Sequence, residues 1–195
     1  MSAIEFTLFA PYNPQAALKG SFSDWKEIAM EKGKDGIFRT QVELADGVYE
    51  YTFRVQSQSW FYEPGTWVEV VDPYATSIND AEQTSILRIK EGDRIVDTYV
   101  WQHDDVPLPG DHELVVYELH IGDFSGGESD SHQRGRFADM IQKLDYLVEL
   151  GINAIEFMPL MEYPGDHSWG YNPRHFLAPE SSYGTTDDLK RLIDE

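Results

Sequence analysis

The stretch Gly151-Ile152-Asn153-Ala154-Ile155-Glu156-Phe157-Met158-Pro159 decides how the second half of this chain is read. Its centre, Ala154 to Met158, is a run of strand length, apolar except for Glu156, broken by a proline that cannot donate to a sheet ladder. Such a run predicts a buried strand of a parallel sheet. Ahead of it Gly151 is a natural C-terminal helix cap, and Phe137, Met140, Ile141, Leu144, Leu147 and Val148 recur at helical spacing. Before that helix, Leu114-Val115-Val116-Tyr117 is another continuous apolar strand. Downstream a long loop runs to Gly184, and Thr185-Thr186-Asp187-Asp188 opens a helix with a carboxylate three residues after a capping threonine. Two consecutive strand–helix units predict a parallel α/β sheet.

Further outward, the first hundred residues change period. Ile4, Phe6 and Leu8 alternate with Glu5 and Thr7, and Tyr49, Tyr51, Phe53 and Val55 alternate with Glu50, Thr52 and Arg54, as half-buried strands require. Asp35-Gly36 and Asp46-Gly47 supply turn residues, the second between Gln41–Leu44 and the Tyr49 run. Apolar runs at Trp67–Val71 and Ile86–Ile89 add further strands, and the sum is an antiparallel sandwich. His103 to His112 has the polar and Pro/Gly content of a connection. The expected division is a sandwich at residues 1–104, a linker at 105–112 and an α/β segment at 113–195.

The last helix ends in Ile193-Asp194-Glu195, without a glycine or proline exit and with acids where the helix dipole favours bases. Two parallel strands also leave open apolar edges. The α/β segment is therefore expected to be truncated, with more strands to follow.

Composition narrows function. With 41% hydrophobic and 13% aromatic residues the chain can bury a core, and a net charge of −20 disfavours nucleic acid or an anionic membrane as partner. A solvated acidic surface explains that charge without any site. The absence of cysteine excludes disulfides, Cys-ligated zinc and thiol catalysis. Met1–Phe6 has neither a basic region nor a long apolar run, so no signal peptide or membrane span is visible and a cytoplasmic location is the default. His120 and His175 lack the close spacing of a metal site, and no cofactor is expected.

The motifs, taken in order, resemble two families. Phe9-Ala10-Pro11, Gly20-Ser21-Phe22-Ser23-Asp24-Trp25, Gly47 to Phe53 and Asp72-Pro73-Tyr74 are similar to carbohydrate-binding module family 48. Val116-Tyr117-Glu118-Leu119-His120, the Gly151–Pro159 stretch, Trp169-Gly170-Tyr171-Asn172-Pro173 and Tyr183 to Leu189 resemble the start of the catalytic barrel of the α-amylase superfamily, glycoside hydrolase family 13. The resemblance covers nearly the whole chain. It implies an all-β, immunoglobulin-like sandwich followed by the beginning of a (β/α)8 TIM barrel.

It also implies an α-glucan substrate and a retaining, double-displacement mechanism that uses two carboxyls about 5 Å apart. In that family the nucleophile Asp, the acid Glu and a third Asp lie on the fourth, fifth and seventh barrel strands, so no catalytic residue is expected in this chain, which alone should be inactive. Asp123 and Glu162 follow the first two barrel strands but carry no local mark of a catalytic pair. Tyr171 is implied as the platform on which a sugar ring stacks; Trp169 and His167 either line that pocket or hold its loop. Trp25 and Trp60 are the candidate surface glucan site, although Thr52 stands where sugar-binding versions tend to carry lysine. Trp67 and Trp101 are expected in the core or between domains. The rival reading is a stand-alone glucan-binding or scaffolding module with a remnant barrel segment.

Overall fold

The alternation of Ile4, Phe6 and Leu8 becomes β1 (Ser2–Phe9), in which these three side chains are buried and Ala3, Glu5 and Thr7 are not. It is followed by β2 (Ala16–Gly20), β3 (Ile28–Ala29), β4 (Glu31–Lys32), β5 (Ile37–Leu44) and β6 (Gly47–Gln56). The first unit closes with β7 (Trp67–Val70), β8 (Ile78–Asn79), β9 (Thr84–Lys90) and β10 (Asp93–Arg94). The structure, a computed structural model, describes residues 1–95, 99–125, 134–165 and 167–195. It divides into two units, Met1–Thr98 and Tyr99–Glu195.

In the first unit one sheet has the order β1-β5-β4, with β1 and β5 antiparallel from Ser2 opposite Leu44 to Phe9 opposite Ile37. The other has the order β10-β9-β6-β2-β3, with β7 paired to the second half of β6 and β8 to β9. Ile4, Phe6, Leu8, Phe38 and Leu44 from the first sheet meet Leu18, Tyr51, Phe53, Val55, Leu87 and Ile89 from the second in one core. This is the expected β-sandwich. Tyr51 lies edge-on to both Phe6 and Phe53, with centroids 5.2 and 5.7 Å apart. Its hydroxyl donates to Asp72 at 2.6 Å, so burial of this polar tip is compensated. Asp72 also accepts the Tyr74 amide, which explains the Asp72-Pro73-Tyr74 motif as a turn latched to the core. The Asp46 carboxylate accepts the Glu91 and Gly92 amides at 2.7 and 3.0 Å, and these two bonds hold its pKa below the ordinary range.

The second unit begins with a short 3-10 turn (Asp111–Glu113), then β11 (Val116–Leu119), α1 (Ile121–Phe124), α2 (Phe137–Ile141), α3 (Leu144–Glu149) and β12 (Ala154–Phe157). β11 and β12 are parallel, Val116 opposite Ala154 and Leu119 opposite Phe157. Asn153 fixes the entry to this pair: its Oδ1 accepts the Val115 amide and its Nδ2 donates to the Glu113 carbonyl. Gly151 caps α3 at φ +90°, with its amide on the Val148 carbonyl and that of Ile152 on the Leu147 carbonyl, both at 2.9 Å.

Three expectations need correction. The single helix read from Phe137 to Val148 is two, because a tight Lys143-to-Met140 backbone bond interrupts it and rotates the second segment. Val148 is consequently 69% exposed rather than buried. Likewise, the strands read as fully buried are open on one side: Val116 is 52% exposed, because β11 and β12 pair only with each other among the described residues. Of the two places expected for Trp101, the core is excluded: it is 40% exposed and lies edge-on to Tyr99.

The long loop after β12 contains an antiparallel pair, β13 (Met161–Glu162) and β14 (His175–Pro179), and leads into α4 (Thr186–Asp194). Thr185 and Asp188 form the expected reciprocal cap: Thr185 Oγ1 accepts the Asp188 amide at 3.1 Å, and Asp188 accepts the Thr185 amide at 2.8 Å. The acid at the other end of α4 has a separate purpose. Asp194 accepts the Gln102 and His103 amides and the Tyr99 hydroxyl, which anchors the segment Tyr99–His103 on this helix. Burial pushes its carboxyl up, but those donors outweigh burial and hold it low. Among the described residues no helix is long and apolar enough to cross a membrane.

Candidate functional site

Because β11 and β12 are parallel, the segments that leave their C-terminal ends emerge on the same side, where barrel folds place their sites. From β11 comes His120, then α1 with Asp123; from β12 come Met158 and Pro159, then the long loop. The amide of Met158 donates to the Leu119 carbonyl at 2.9 Å, tying the two exits together.

On this end sits the turn Ser168-Trp169-Gly170-Tyr171-Asn172. Gly170 is buried at φ +83°, and a Cβ there would lie 2.5 Å from the Pro159 carbonyl oxygen. Only glycine allows the turn to rest on the end of β12. The Ser168 hydroxyl accepts the Gly170 amide at 3.1 Å and donates to Asn172 Oδ1. A turn fixed in this way leaves its two aromatic rings outside: Trp169 is 64% and Tyr171 66% exposed. His167, just before the turn, is exposed as well.

Beneath the turn the polar groups are buried and satisfied. His120 is 6% exposed; its Nε2 lies 3.0 Å from the Ser168 carbonyl oxygen and 2.7 Å from the Tyr183 hydroxyl, and its Nδ1 accepts the Asp123 amide at 3.2 Å. The Tyr163 hydroxyl donates to that of Tyr183 and accepts from Arg134. Burial, then the bond from Tyr163, pushes the Tyr183 phenol up, so it stays neutral.

The two acids considered after the barrel strands part company. Glu162 is fully buried, and its carboxylate accepts the Ser181 amide at 2.8 Å and the Ser181 hydroxyl. It has no surface with which to meet a substrate. Asp123 is exposed, its carboxylate 3.2 Å from His120 Nδ1. Sequence reading missed a second buried acid, Glu180, which accepts the amides of Tyr163 and Ser182, both at 3.1 Å. The available signal was its place before Ser181-Ser182, where an acceptor side chain caps a turn. His175 is buried at the start of β14, and no metal-binding cluster occurs among the described residues.

In the sandwich, Trp25 is 41% exposed and sits with Asp24 in the left-handed region, at φ +60° and +50°. Trp60 is 85% exposed and stacks on Phe61 with ring centroids 3.8 Å apart. The structure does not bring the Trp25 and Trp60 rings into contact among the described residues. Phe61 and Tyr62 extend the exposed aromatic set beyond the residues picked from sequence. Thr52 and Arg54 alternate with the core residues of β6 and so belong to its opposite face. There Arg54 pairs with Glu27 and packs over Trp67, and Lys19, opposite Thr52, pairs with Glu69. Thr52 is buried, and its hydroxyl has no hydrogen-bond partner among the described residues.

The chain thus combines a β-sandwich with a parallel strand–helix unit whose strand ends carry exposed aromatic rings. Residues 1–75 match the family model for carbohydrate-binding module 48, the isoamylase N-terminal domain, and residues 121–195 match the alpha-amylase catalytic domain. The chain is 32% identical over 203 residues to the 1,4-alpha-glucan branching enzyme GlgB of Cutibacterium acnes, covering all of this chain and 29% of that enzyme. It is 29% identical over 192 residues to the malto-oligosyltrehalose trehalohydrolase of Saccharolobus solfataricus, covering 98% of this chain and 30% of that protein. The crystal structure of pullulanase type I from Bacillus subtilis, complexed with maltose, superposes with a TM-score of 0.78 at 26% identity, over 99% of this chain and 30% of that one. The chain thus resembles the N-terminal part of α-amylase-superfamily enzymes, with a region matching carbohydrate-binding module 48 ahead of one matching part of the alpha-amylase catalytic domain. It spans under a third of the length of these relatives.

Proposed function

We propose that this chain is the N-terminal, glucan-facing part of a cytoplasmic α-glucan-active glycosidase or transglycosidase, with the sandwich at 1–104, a connection at 105–112 and the start of a TIM barrel at 113–195. The observation that carries this reading is the turn at Ser168–Asn172, which holds the rings of Tyr171 and Trp169 outside at the C-terminal ends of two parallel strands. A sugar offers an apolar face and a hydroxyl rim, and a Tyr ring with its polar edge matches both. Tyr171 is assigned the stacking role, Trp169 and His167 the flanks, and Trp25 and Trp60 the accessory surface site.

The whole enzyme would work by double displacement through a covalent glycosyl intermediate. This chain would supply sugar positioning, not the catalytic pair: Glu162 is buried with its carboxylate bonded to Ser181, and the Asp123 carboxylate lies 3.2 Å from His120 Nδ1. No turnover is therefore expected of it alone. The test is a titration of the 195-residue protein with maltohexaose followed by tryptophan fluorescence. A saturable change abolished by Tyr171→Ala supports the assignment; a change that survives in Tyr171→Ala and disappears in Trp60→Ala moves the site to the sandwich.

A further inference from the structure

We propose that His120 is a positioning residue for sugar recognition, holding the aromatic turn at Ser168–Asn172 in the pose that presents Trp169 and Tyr171; the sugar part of this inference rests on the function proposed above.

The case begins with the two imidazole nitrogens. On the Nδ1 side the ring is held by Asp123, whose amide and carboxylate both lie 3.2 Å away. The Ser168 carbonyl can only accept, so Nε2, 3.0 Å away, must carry the proton. The ring is 6% exposed and cannot swing to an alternative acceptor in solvent.

Its position gives this bond reach. His120 lies directly after β11, so its backbone is set by the strand pairing, while Ser168 is 48 residues later in a loop. Within that loop Ser168 organises the turn itself, since its hydroxyl accepts the Gly170 amide and donates to Asn172. One residue therefore carries the external anchor on its carbonyl and the internal brace on its side chain. The imidazole is in turn held from the α4 side by Tyr183, whose ring meets it edge-on and whose hydroxyl receives the Tyr163 bond. Trp169 and Tyr171, both about two-thirds exposed, have little packing of their own to hold them, so their placement depends on this anchor.

The test is hydrogen–deuterium exchange of the 195-residue protein, read in peptides covering 167–173 and, as an internal reference, 186–194, with and without millimolar maltohexaose. In His120→Ala the Gly170 amide should exchange roughly tenfold faster, the size of one net hydrogen bond, while the reference peptide is unchanged. His120→Gln, whose amide N–H reaches the same carbonyl, should restore protection; His120→Asn, one carbon shorter, should not. If His120→Ala does not fold, the Gln and Asn pair carries the comparison. Unchanged exchange in the turn, equal acceleration in both peptides, or equal behaviour of Gln and Asn would overturn the proposal. Maltohexaose should add protection to the turn in the wild type and in His120→Gln, and less in His120→Ala. Equal sugar protection in wild type and His120→Ala would refute the link to recognition. Absence of sugar protection in every form, with the turn still loosened by His120→Ala, would sink the sugar-binding function while leaving His120 as the anchor of the turn.

Discussion

Replacing Gly170 by alanine tests whether the aromatic turn is built as described. Two costs add. An L-residue at φ +83° is strained by about 1–2 kcal/mol. The new Cβ would also lie 2.5 Å from the Pro159 carbonyl oxygen and 2.9 Å from Pro159 Cβ, and because one of these atoms is backbone the turn or the end of β12 must move. Overpacking of this kind costs about 1–3 kcal/mol, so the total is about 2–5 kcal/mol. Gly165 separates the two effects: it also has positive φ, +71°, but a Cβ there meets nothing within 4 Å. Gly165→Ala should therefore cost only the backbone strain, about 1–2 kcal/mol. Urea unfolding of both variants, followed by circular dichroism and fluorescence, measures the difference. If Gly170→Ala is no more destabilising than Gly165→Ala, the close approach of the turn to Pro159 is wrong, and with it the argument that glycine is required there.

Other perturbations probe the rest of the structure. Phe53→Ala removes a fully buried ring at the centre of the sandwich and should cost about 3–5 kcal/mol in chemical denaturation, whereas Phe61→Ala, at a 72% exposed site, should leave the midpoint unchanged. Thr185→Ala deletes the hydroxyl that caps α4 and should lower stability by about 1 kcal/mol. Asp188 is held low chiefly by the Thr185 amide, then by the Thr185 hydroxyl; its contribution is present above the unfolded carboxylate pKa near 3.9 and is lost as pH falls through the lower folded value. Asp188→Asn should therefore flatten the loss of thermal stability below about pH 4. The Arg39 guanidinium, then the Ile37 amide, hold the Asp35 carboxyl at about 2, so the Asp35–Arg39 pair should persist in an NMR titration to lower pH than an ordinary carboxylate pair.

What was legible in the sequence follows from periodicity. The alternation in β1 and β6 named the sandwich core almost residue by residue, because a period of two assigns a face without ambiguity. Helical spacing did less well between Phe137 and Val148, since a break at Gln142-Lys143 shifts the phase of everything after it and leaves no compositional mark. The capping box at Thr185–Asp188 and the cap at Gly151 were visible because their chemistry is local. The site behaves in the same way. Tyr171 and Trp169 were picked out by the resemblance of their motif, but the buried bonds beneath them join His120, Ser168, Tyr163 and Tyr183 across as many as 63 residues, and no local pattern announces such pairings. The partners of Asp194 were hidden for the same reason: Tyr99, Gln102 and His103 lie more than 90 residues away.

The most direct test of the account is to run the 195-residue protein, beside Trp25→Ala, Trp60→Ala and Tyr171→Ala, in native gels with and without glycogen while assaying the same samples for reducing-sugar release from soluble starch. The account predicts glycogen-dependent retardation, weakened by loss of these aromatic residues, with no sugar released. Release of reducing sugar by the purified protein, retained in the variants, would contradict the claim that this chain recognises glucan without carrying the catalytic carboxylates.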